Sequence, residues 1–474
     1  MRAVVHMIET QSLGNRGYLV HDGHVAVVID PPRDIDRVLD QARRARVRIT
    51  HVFETHVHND YVSGGLDLAR ATVADYVLSA EEDVAFDHVG IRDGEIVETG
   101  GLTVRALHTP GHTFSHLSYI VMVGQEAMGV FTGGSLLYGS TGRPDLFGPE
   151  ATPELARAQY RSAHRLVSEV PSQTALYPTH GFGSFCSASQ ARSNSSTLAA
   201  EHKVNPALTL DEADYVHNLL AGLTAYPAYF AHMAPINRAG PGEVDLTPPA
   251  VADAAELRRR LDAGNWVVDL RARGAFARRH LPGTVNFGIA ATMSSYLGWL
   301  LPWGTPLTLL GDTAEQIAKA QRELVHIGID RPSAMATGDP DTWAGGHPLR
   351  SYRVADFAAL AVAREEQRQI AVLDVRHHEE WLESHLTAAL HVPLHELLER
   401  LGEIPVPPTE VWVHCQAGYR AAIAASLLEA DHQVVLIDDD YYSNARRAGV
   451  ITHGPNGAVP VNEKPPHQIR VSQR

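Results

Sequence analysis

The sequence predicts a multidomain α/β protein, on three observations. Its 474 residues exceed one compact domain and suggest three, at about 100 to 200 residues each. Strand-like apolar runs alternate with helix-like runs along most of the chain. A pattern of about 100 residues recurs in the second half, which points to two like domains rather than to a solenoid, whose repeats are about 20 to 50 residues.

In the first part, residues 49–53 read as a buried strand that leads into Thr55-His56-Val57-His58-Asn59-Asp60-Tyr61-Val62-Ser63-Gly64-Gly65. Residues at i and i+2 of an extended segment share a face, so His56 and His58 can address one ion, with Asp60 close by. Thr109-Pro110-Gly111-His112-Thr113 and Pro178-Thr179-His180-Gly181 each bring a further histidine on a turn behind an apolar run. Even in a chain with 27 histidines, this ordered set is hard to explain as packing. Imidazole and carboxylate sets are the usual ligands of zinc and iron. His116 follows a turn and reads as a packing or locally bonded residue. The order of these motifs resembles the metallo-β-lactamase superfamily. For residues 1–240 the resemblance implies an αββα sandwich with the metal in a groove at one edge of the two sheets.

The composition narrows the partners. A net charge of -15 without a basic run argues against nucleic acid or an anionic membrane, and a small molecule fits better. Residues 1–10 lack a basic stretch followed by an apolar core, and the apolar stretch 297–310 is interrupted by Pro302, Gly304 and Pro306. The expectation is a soluble, cytoplasmic protein, compatible with a homo-oligomer. Two cysteines, Cys186 and Cys415, make no disulfide framework.

Residues 235–249, rich in proline and glycine, read as a linker. A first repeat follows over 250–348, with a helix at 251–263, a strand at 266–270 and the run Phe276-Ala277-Arg278-Arg279-His280-Leu281-Pro282. The second copy, 350–455, has a helix at 354–364, a strand at 370–375 and an echo of that run from Trp381 to Pro393. The tail 456–474 is polar and expected to be loosely ordered. In the second copy Val411-Trp412-Val413-His414-Cys415-Gln416-Ala417-Gly418-Tyr419-Arg420 precedes a helix-like run. A strand, short loop and helix present N–H groups and a helix N-terminus to an anion, which favours a thiolate or persulfide on Cys415. Gln416, Ala417, Gly418 and Tyr419 would form the persulfide loop, and Arg420 would add fixed positive charge. This loop resembles that of rhodanese sulfurtransferases, as do Asp374-Val375-Arg376 and the spacing of His385, Ala389 and Pro393. Phosphatases of the related fold place one residue more between cysteine and arginine than the four found here, which disfavours phosphate. The first copy has no cysteine in its equivalent stretch, 307–312, and resembles a silent rhodanese with a structural role.

The order of the three parts resembles the persulfide dioxygenase and rhodanese fusions of bacterial sulfide metabolism. The resemblance implies that a single non-haem iron oxidises the terminal sulfur of a small-thiol persulfide to sulfite, held by His56, His112 and an aspartate after Phe-Thr-Gly. Here Phe131-Thr132-Gly133-Gly134 has a glycine in that place, although the following Gly142-Arg143-Pro144-Asp145-Leu146 keeps the alignment in step. Tyr61 stands where hydrolytic members have another histidine. The remaining set, His56, His58 and His112, is expected to hold one divalent metal, Fe(II) by resemblance or Zn(II) as the alternative. Asp60 and His180 are expected behind it or at a second metal position, and Cys186 in the substrate channel or in packing. Restoring a carboxylate by Gly134→Asp would then raise iron occupancy. The expected function is persulfide dioxygenase-like chemistry in the metal domain and sulfurtransfer at Cys415, with a glutathione-type persulfide and thiosulfate as substrates. The alternatives are a zinc hydrolase of a glutathione-type thioester, resembling hydroxyacylglutathione hydrolase, and a persulfide carrier that does not oxygenate.

Overall fold

A computed structural model describes residues 3–189, 193–290, 292–446 and the strand Thr452–His453. The tail expected over 456–474 lies outside the described residues. The chain divides into two compact units, one of residues 1–252 with 289–337 and the other of 253–288 with 338–474. The stretch expected as a middle domain therefore contributes to both.

Two six-stranded sheets build the first unit. The first runs β1 (Val4–Thr10), β2 (Asn15–His21), β3 (Val25–Ile29), β4 (Arg48–Phe53), β5 (Asp75–Ser79) and β6 (Val89–Ile91) in sequence order, antiparallel to β3 and parallel from there. The second holds β7 (Ile96–Thr99), β8 (Leu102–His108), β9 (Leu117–Val123), β10 (Glu126–Gly133), β11 (Ala175–Pro178) and β12 (Ser196–Thr197). Its single parallel pair, β10 with β11, is joined through the helix Thr152–Glu169, as a parallel crossover requires.

The strands are apolar almost throughout because both faces of each sheet are covered. Tyr18, Val20, Val27, Ile29, Phe53 and Val77 face Val104, Ala106, Tyr119, Val121 and Phe131 between the sheets. The alternate residues Leu19, Ala26, Val28 and Val52 pack outward on Val38 and Ala42 of the helix Asp36–Ala45 and on Leu68 of the helix Gly65–Thr72. On the far side Leu107, Ile120, Val130 and Leu176 meet Ala156, Ala163 and Leu166. This is the expected αββα layering.

The linker expected from residue 235 begins later. Helix Phe230–Ala239 runs through Pro235 and stops at Gly240, whose φ of 82° ends it. Asn237 in its last turn donates to the carbonyls of His58 and Tyr61, both at 2.9 Å, and accepts from Ser63 N–H at 2.9 Å. Tertiary bonds thus outweigh the proline.

In the second unit a five-stranded sheet has the order Arg353–Ala355, Gln433–Ile437, Glu410–His414, Ile370–Asp374, Leu390–His391, with parallel pairing throughout. The helix expected at 354–364 is replaced at its start by the edge strand. Asp356 then caps the helix Phe357–Glu365, accepting from Ala359 N–H at 2.7 Å. Two local motifs of the expected repeat have the same geometry. Arg271 meets Asp269 through Nε at 3.0 Å and Nη2 at 2.6 Å, and Arg376 meets Asp374 at the same distances. His280 bonds the Phe276 carbonyl at 2.8 Å as His385 bonds that of Trp381 at 2.9 Å. Arg376 is fully buried, donates also to Ser384 O at 2.7 Å, and lies 3.8 Å over the Tyr441 ring. Arg376→Leu strands the Asp374 carboxylate in the interior and should cost about 3 to 5 kcal/mol, read as an earlier transition in urea unfolding.

Candidate metal centre and thiol loop

Strand β4 ends at Phe53, and the chain from Glu54 to Gly64 forms the loop before the helix Gly65–Thr72, tied to the second sheet where Leu117 N–H of β9 donates to Thr55 O at 2.8 Å. Asp30, at the end of β3 with a φ of 49°, accepts from Thr55 N–H at 2.7 Å and Thr55 Oγ1 at 2.8 Å and so pins the start of that loop. His56, His112 and His180 are all fully buried. His112 Nδ1 lies 2.9 Å from the Arg143 carbonyl, His180 Nδ1 3.0 Å from Asn15 Oδ1, and His56 Nδ1 2.9 Å from Thr55 Oγ1. The carbonyl at Arg143 fixes the His112 proton on Nδ1. In all three rings Nε2 is buried without a hydrogen-bond partner, and one nitrogen from each ring lies within 4.8 Å of the others. Leaving such atoms unsatisfied costs about 1 to 3 kcal/mol each. Burial, and then the neighbouring His58, holds His56 well below the usual histidine range; burial, and then His180, brings His112 to about 3. Imidazoles converging through Nε2 atoms that no hydrogen bond uses fit a divalent metal, each oriented from behind as metal-binding histidines are.

His58 is placed differently. Its Nε2 lies 3.0 Å from Glu54 Oε2 and 3.3 Å from Asp30 Oδ1, and its Nδ1 is left without a partner. Burial opposes a charge there, but Asp30 and Glu54 outweigh it and push His58 up to about 10. Glu54 rises to about 7 through burial, while Asp30 falls to about 2 because the attraction of His58 overcomes burial. His58 closes a ligand set with Asp60 and His180 rather than with His56 and His112. Asp60 accepts from Asn15 Nδ2 at 2.8 Å, lies 3.2 Å from His180 Nδ1 and keeps Oδ1 unpartnered. His180, expected behind the metal, therefore belongs to both groups.

Gly134 does more than omit a carboxylate. A Cβ there would lie 2.2 Å from His112 Cδ2, and one on Gly142 would lie 2.6 Å from His112 Nδ1, so the ring is sandwiched between two glycines. His116 is consumed locally, with Nδ1 3.0 Å from Thr109 Oγ1 and Nε2 accepting from Gly134 N–H at 3.1 Å. Asp145 pairs with Arg143 at 2.7 Å and steadies the carbonyl that orients His112. Cys186 is fully buried, and burial together with the nearby Asp60 holds its thiol well above the usual range.

In the second unit the strand Glu410–His414 delivers Cys415, and the loop Gln416-Ala417-Gly418 leads to the helix Tyr419–Leu428. Cys415 is buried at the base, with Gln416 and Ala417 exposed above it. Gly418 has a φ of 82°, and a Cβ there would lie 2.2 Å from Asp438 Oδ1, so the turn needs glycine.

A family profile described as a rhodanese-like domain matches residues 357–444. A metallo-β-lactamase structure from Staphylococcus aureus subsp. aureus COL superposes with a TM-score of 0.64 at 27% identity, covering 72% of this chain and 100% of that one. The chain combines a metallo-β-lactamase fold with a rhodanese-like domain. A hydroxyacylglutathione hydrolase of Cupriavidus taiwanensis is 28% identical over 231 residues, 46% of this chain and 80% of the relative. The mitochondrial persulfide dioxygenase of Homo sapiens is 27% identical over 213 residues, 44% of this chain and 74% of the relative.

Within the rhodanese-like domain Arg420 is not reserved for the loop. Its Nη1 and Nη2 grip Glu380 at 2.5 and 2.8 Å. Burial opposes the charge on Glu380, yet Arg420 keeps it below the usual carboxylate range, while burial and then Arg420 lower His377 to about 4. In the stretch expected as the counterpart of the Cys415 loop, the strand Leu307–Gly311 is followed by only Asp312 and Thr313 before the helix Ala314–Val325, which leaves no loop to cradle an anion. In the metallo-β-lactamase unit, Asp30, Glu54, Asn15 and Asn237 escaped the sequence reading. Only Asp30 carried a local signal, a carboxylate directly after an apolar strand and before Pro31. No described helix is long and apolar enough to cross a membrane.

Proposed function

We propose that the protein processes small-thiol persulfides, with metal-dependent oxidation of persulfide sulfur in the metallo-β-lactamase unit and sulfurtransfer at Cys415. The observation that carries this reading is the pairing, in one chain, of a buried convergent imidazole cluster with a cysteine at the base of a rhodanese loop. At Cys415 the thiolate attacks the outer sulfur of thiosulfate. A new S–S bond forms on Cys415, the S–S bond of thiosulfate breaks, and sulfite leaves with the electron pair. An acceptor thiolate then takes the outer sulfur as its own persulfide and restores the Cys415 thiolate. The N–H groups of the loop and of the first turn from Tyr419 hold the charge on sulfur during both steps.

In the metal unit the overall change is persulfide plus O2 plus water to thiol, sulfite and two protons. Bound iron would supply the redox chemistry that joins oxygen to sulfur. His56, His112 and His180 would hold the metal of the proposed single site, with Asp60 beside them. Arg143 fixes the His112 ring, Asp30 and Glu54 fix His58, and Cys186 stays a buried wall next to Asp60. The persulfide relative and the glutathione-hydrolase relative both point to a small thiol, of the glutathione type, as the carrier.

The experiment is oxygen uptake by anaerobically iron-loaded protein given glutathione persulfide, with His112→Ala as control. Uptake with sulfite formation, absent in the variant, supports the reading. No uptake by the iron form, together with cleavage of S-lactoylglutathione by the zinc form, would replace it with thioester hydrolysis, since zinc lowers the pKa of bound water to about 7.

A further inference from the structure

We infer that Arg273, in the copy that lacks a cysteine, is a positioning residue for the Cys415 loop and selects for anionic sulfur donors. The inference rests on the sulfurtransfer reading of Cys415. Arg273 opens the short helix Arg273–Arg278, far from the loop in sequence. Its Nε donates to Asp438 Oδ1 at 2.6 Å, and its Nη2 reaches the Ala417 carbonyl at 3.4 Å. The same two side chains occupy the space beside Gly418, where an added Cβ would lie 2.2 Å from Asp438 Oδ1 and 3.1 Å from Arg273 Nε. Tyr419 donates its hydroxyl to the Gly288 carbonyl at 3.0 Å, and Asn286 N–H donates to Ser426 Oγ at 2.9 Å. Residues from 273 to 288 thus hold the loop, the first residue of its helix and a later turn of that helix.

Two consequences follow from the chemistry. A guanidinium on the Ala417 carbonyl engages that oxygen and so holds one peptide of the loop in place. Arg273 also places a partly exposed charge beside the loop. Its side chain is 37% exposed and meets Asp438 through Nε alone, and the neighbouring Gln416 and Ala417 are exposed. The loop's own arginine, Arg420, is already bound at both terminal nitrogens by Glu380. Arg273 is therefore the cation placed to meet thiosulfate, a dianion, ahead of a neutral reagent.

The test uses the full chain and the variants Arg273→Ala and Arg273→Lys. With thiosulfate as donor, Arg273→Ala should raise KM about five- to tenfold and lower kcat about threefold. Arg273→Lys should recover most of the KM but not the kcat, because an ammonium keeps the charge and loses the planar fork. A second readout does not depend on turnover: the alkylation of Cys415 by iodoacetate relative to iodoacetamide, followed by mass spectrometry of its peptide. That ratio should fall about threefold or more in Arg273→Ala and stay near wild type in Arg273→Lys. If wild-type protein does not turn over thiosulfate but the alkylation ratio still falls, the sulfurtransfer reading fails while the positioning role stands. An unchanged ratio in a folded Arg273→Ala protein overturns the inference, as does an equal fall of the ratio in Arg273→Ala and Arg273→Lys.

Discussion

Replacing Cys415 with serine should abolish sulfur transfer from thiosulfate, by about a thousandfold or more, while leaving the thermal transition and metal content unchanged. A serine hydroxyl is scarcely ionised near neutral pH and forms no stable bond to a sulfane sulfur, so the loop would hold an anion site with nothing to load. The only other thiol, Cys186, is fully buried and belongs to the other unit, so it offers no substitute nucleophile. Sulfite release with glutathione as acceptor measures the rate. Mass spectrometry of the Cys415 peptide after thiosulfate treatment measures the stored sulfur, a gain of one sulfur atom in wild type and none in the variant. Substantial residual turnover in Cys415→Ser would mean that sulfur travels by another route, and would remove this domain from the proposed reaction.

What could be read in the sequence was whatever depends on short range. The strand before His56 and the strand, loop and helix around Cys415 show as local spacing and fall where that spacing places them, and the histidines at 56, 58, 112 and 180 are legible as motifs. Groups whose partners are distant in the chain gave no such signal. Asn237 holds the His58 to Ser63 loop across more than 170 residues, Asn15 reaches Asp60 and His180, and Glu380 takes Arg420 from 40 residues away. The separation of His58 from His56 and His112 has the same origin, because its Nε2 is held by Glu54 and Asp30. The misread start of the second repeat is a matter of length: a three-residue edge strand has no measurable period, and Asp356 after it is as much a helix cap as a break.

Metal retention should depend on Gly134 in the direction opposite to the one the sequence suggests. Read as a missing ligand, Gly134 invites restoration by aspartate. The structure puts the His112 ring in the space the new side chain needs, with a Cβ 2.2 Å from Cδ2 and 2.8 Å from Nε2. The ring cannot retreat on the other side, because a bare Gly142 already lies against it and Nδ1 is tied to the Arg143 carbonyl at 2.9 Å. Gly134→Asp should therefore turn the ring, break that bond and weaken metal binding about 10- to 100-fold, the range usual for losing a group that orients a ligand. Gly134→Ala carries the steric part alone and should lose nearly as much. His112→Ala should lose at least as much as either, through the ligand itself. Titration of the apoprotein with Zn(II) and Co(II), with bound metal counted per chain, reads all three. If aspartate binds more tightly than wild type while alanine binds less tightly, the carboxylate has found the metal and the site has repacked around it. If His112→Ala keeps full affinity, the ion sits instead among His58, Asp60 and His180, and the imidazole that matters for the chemistry is His180 rather than His112.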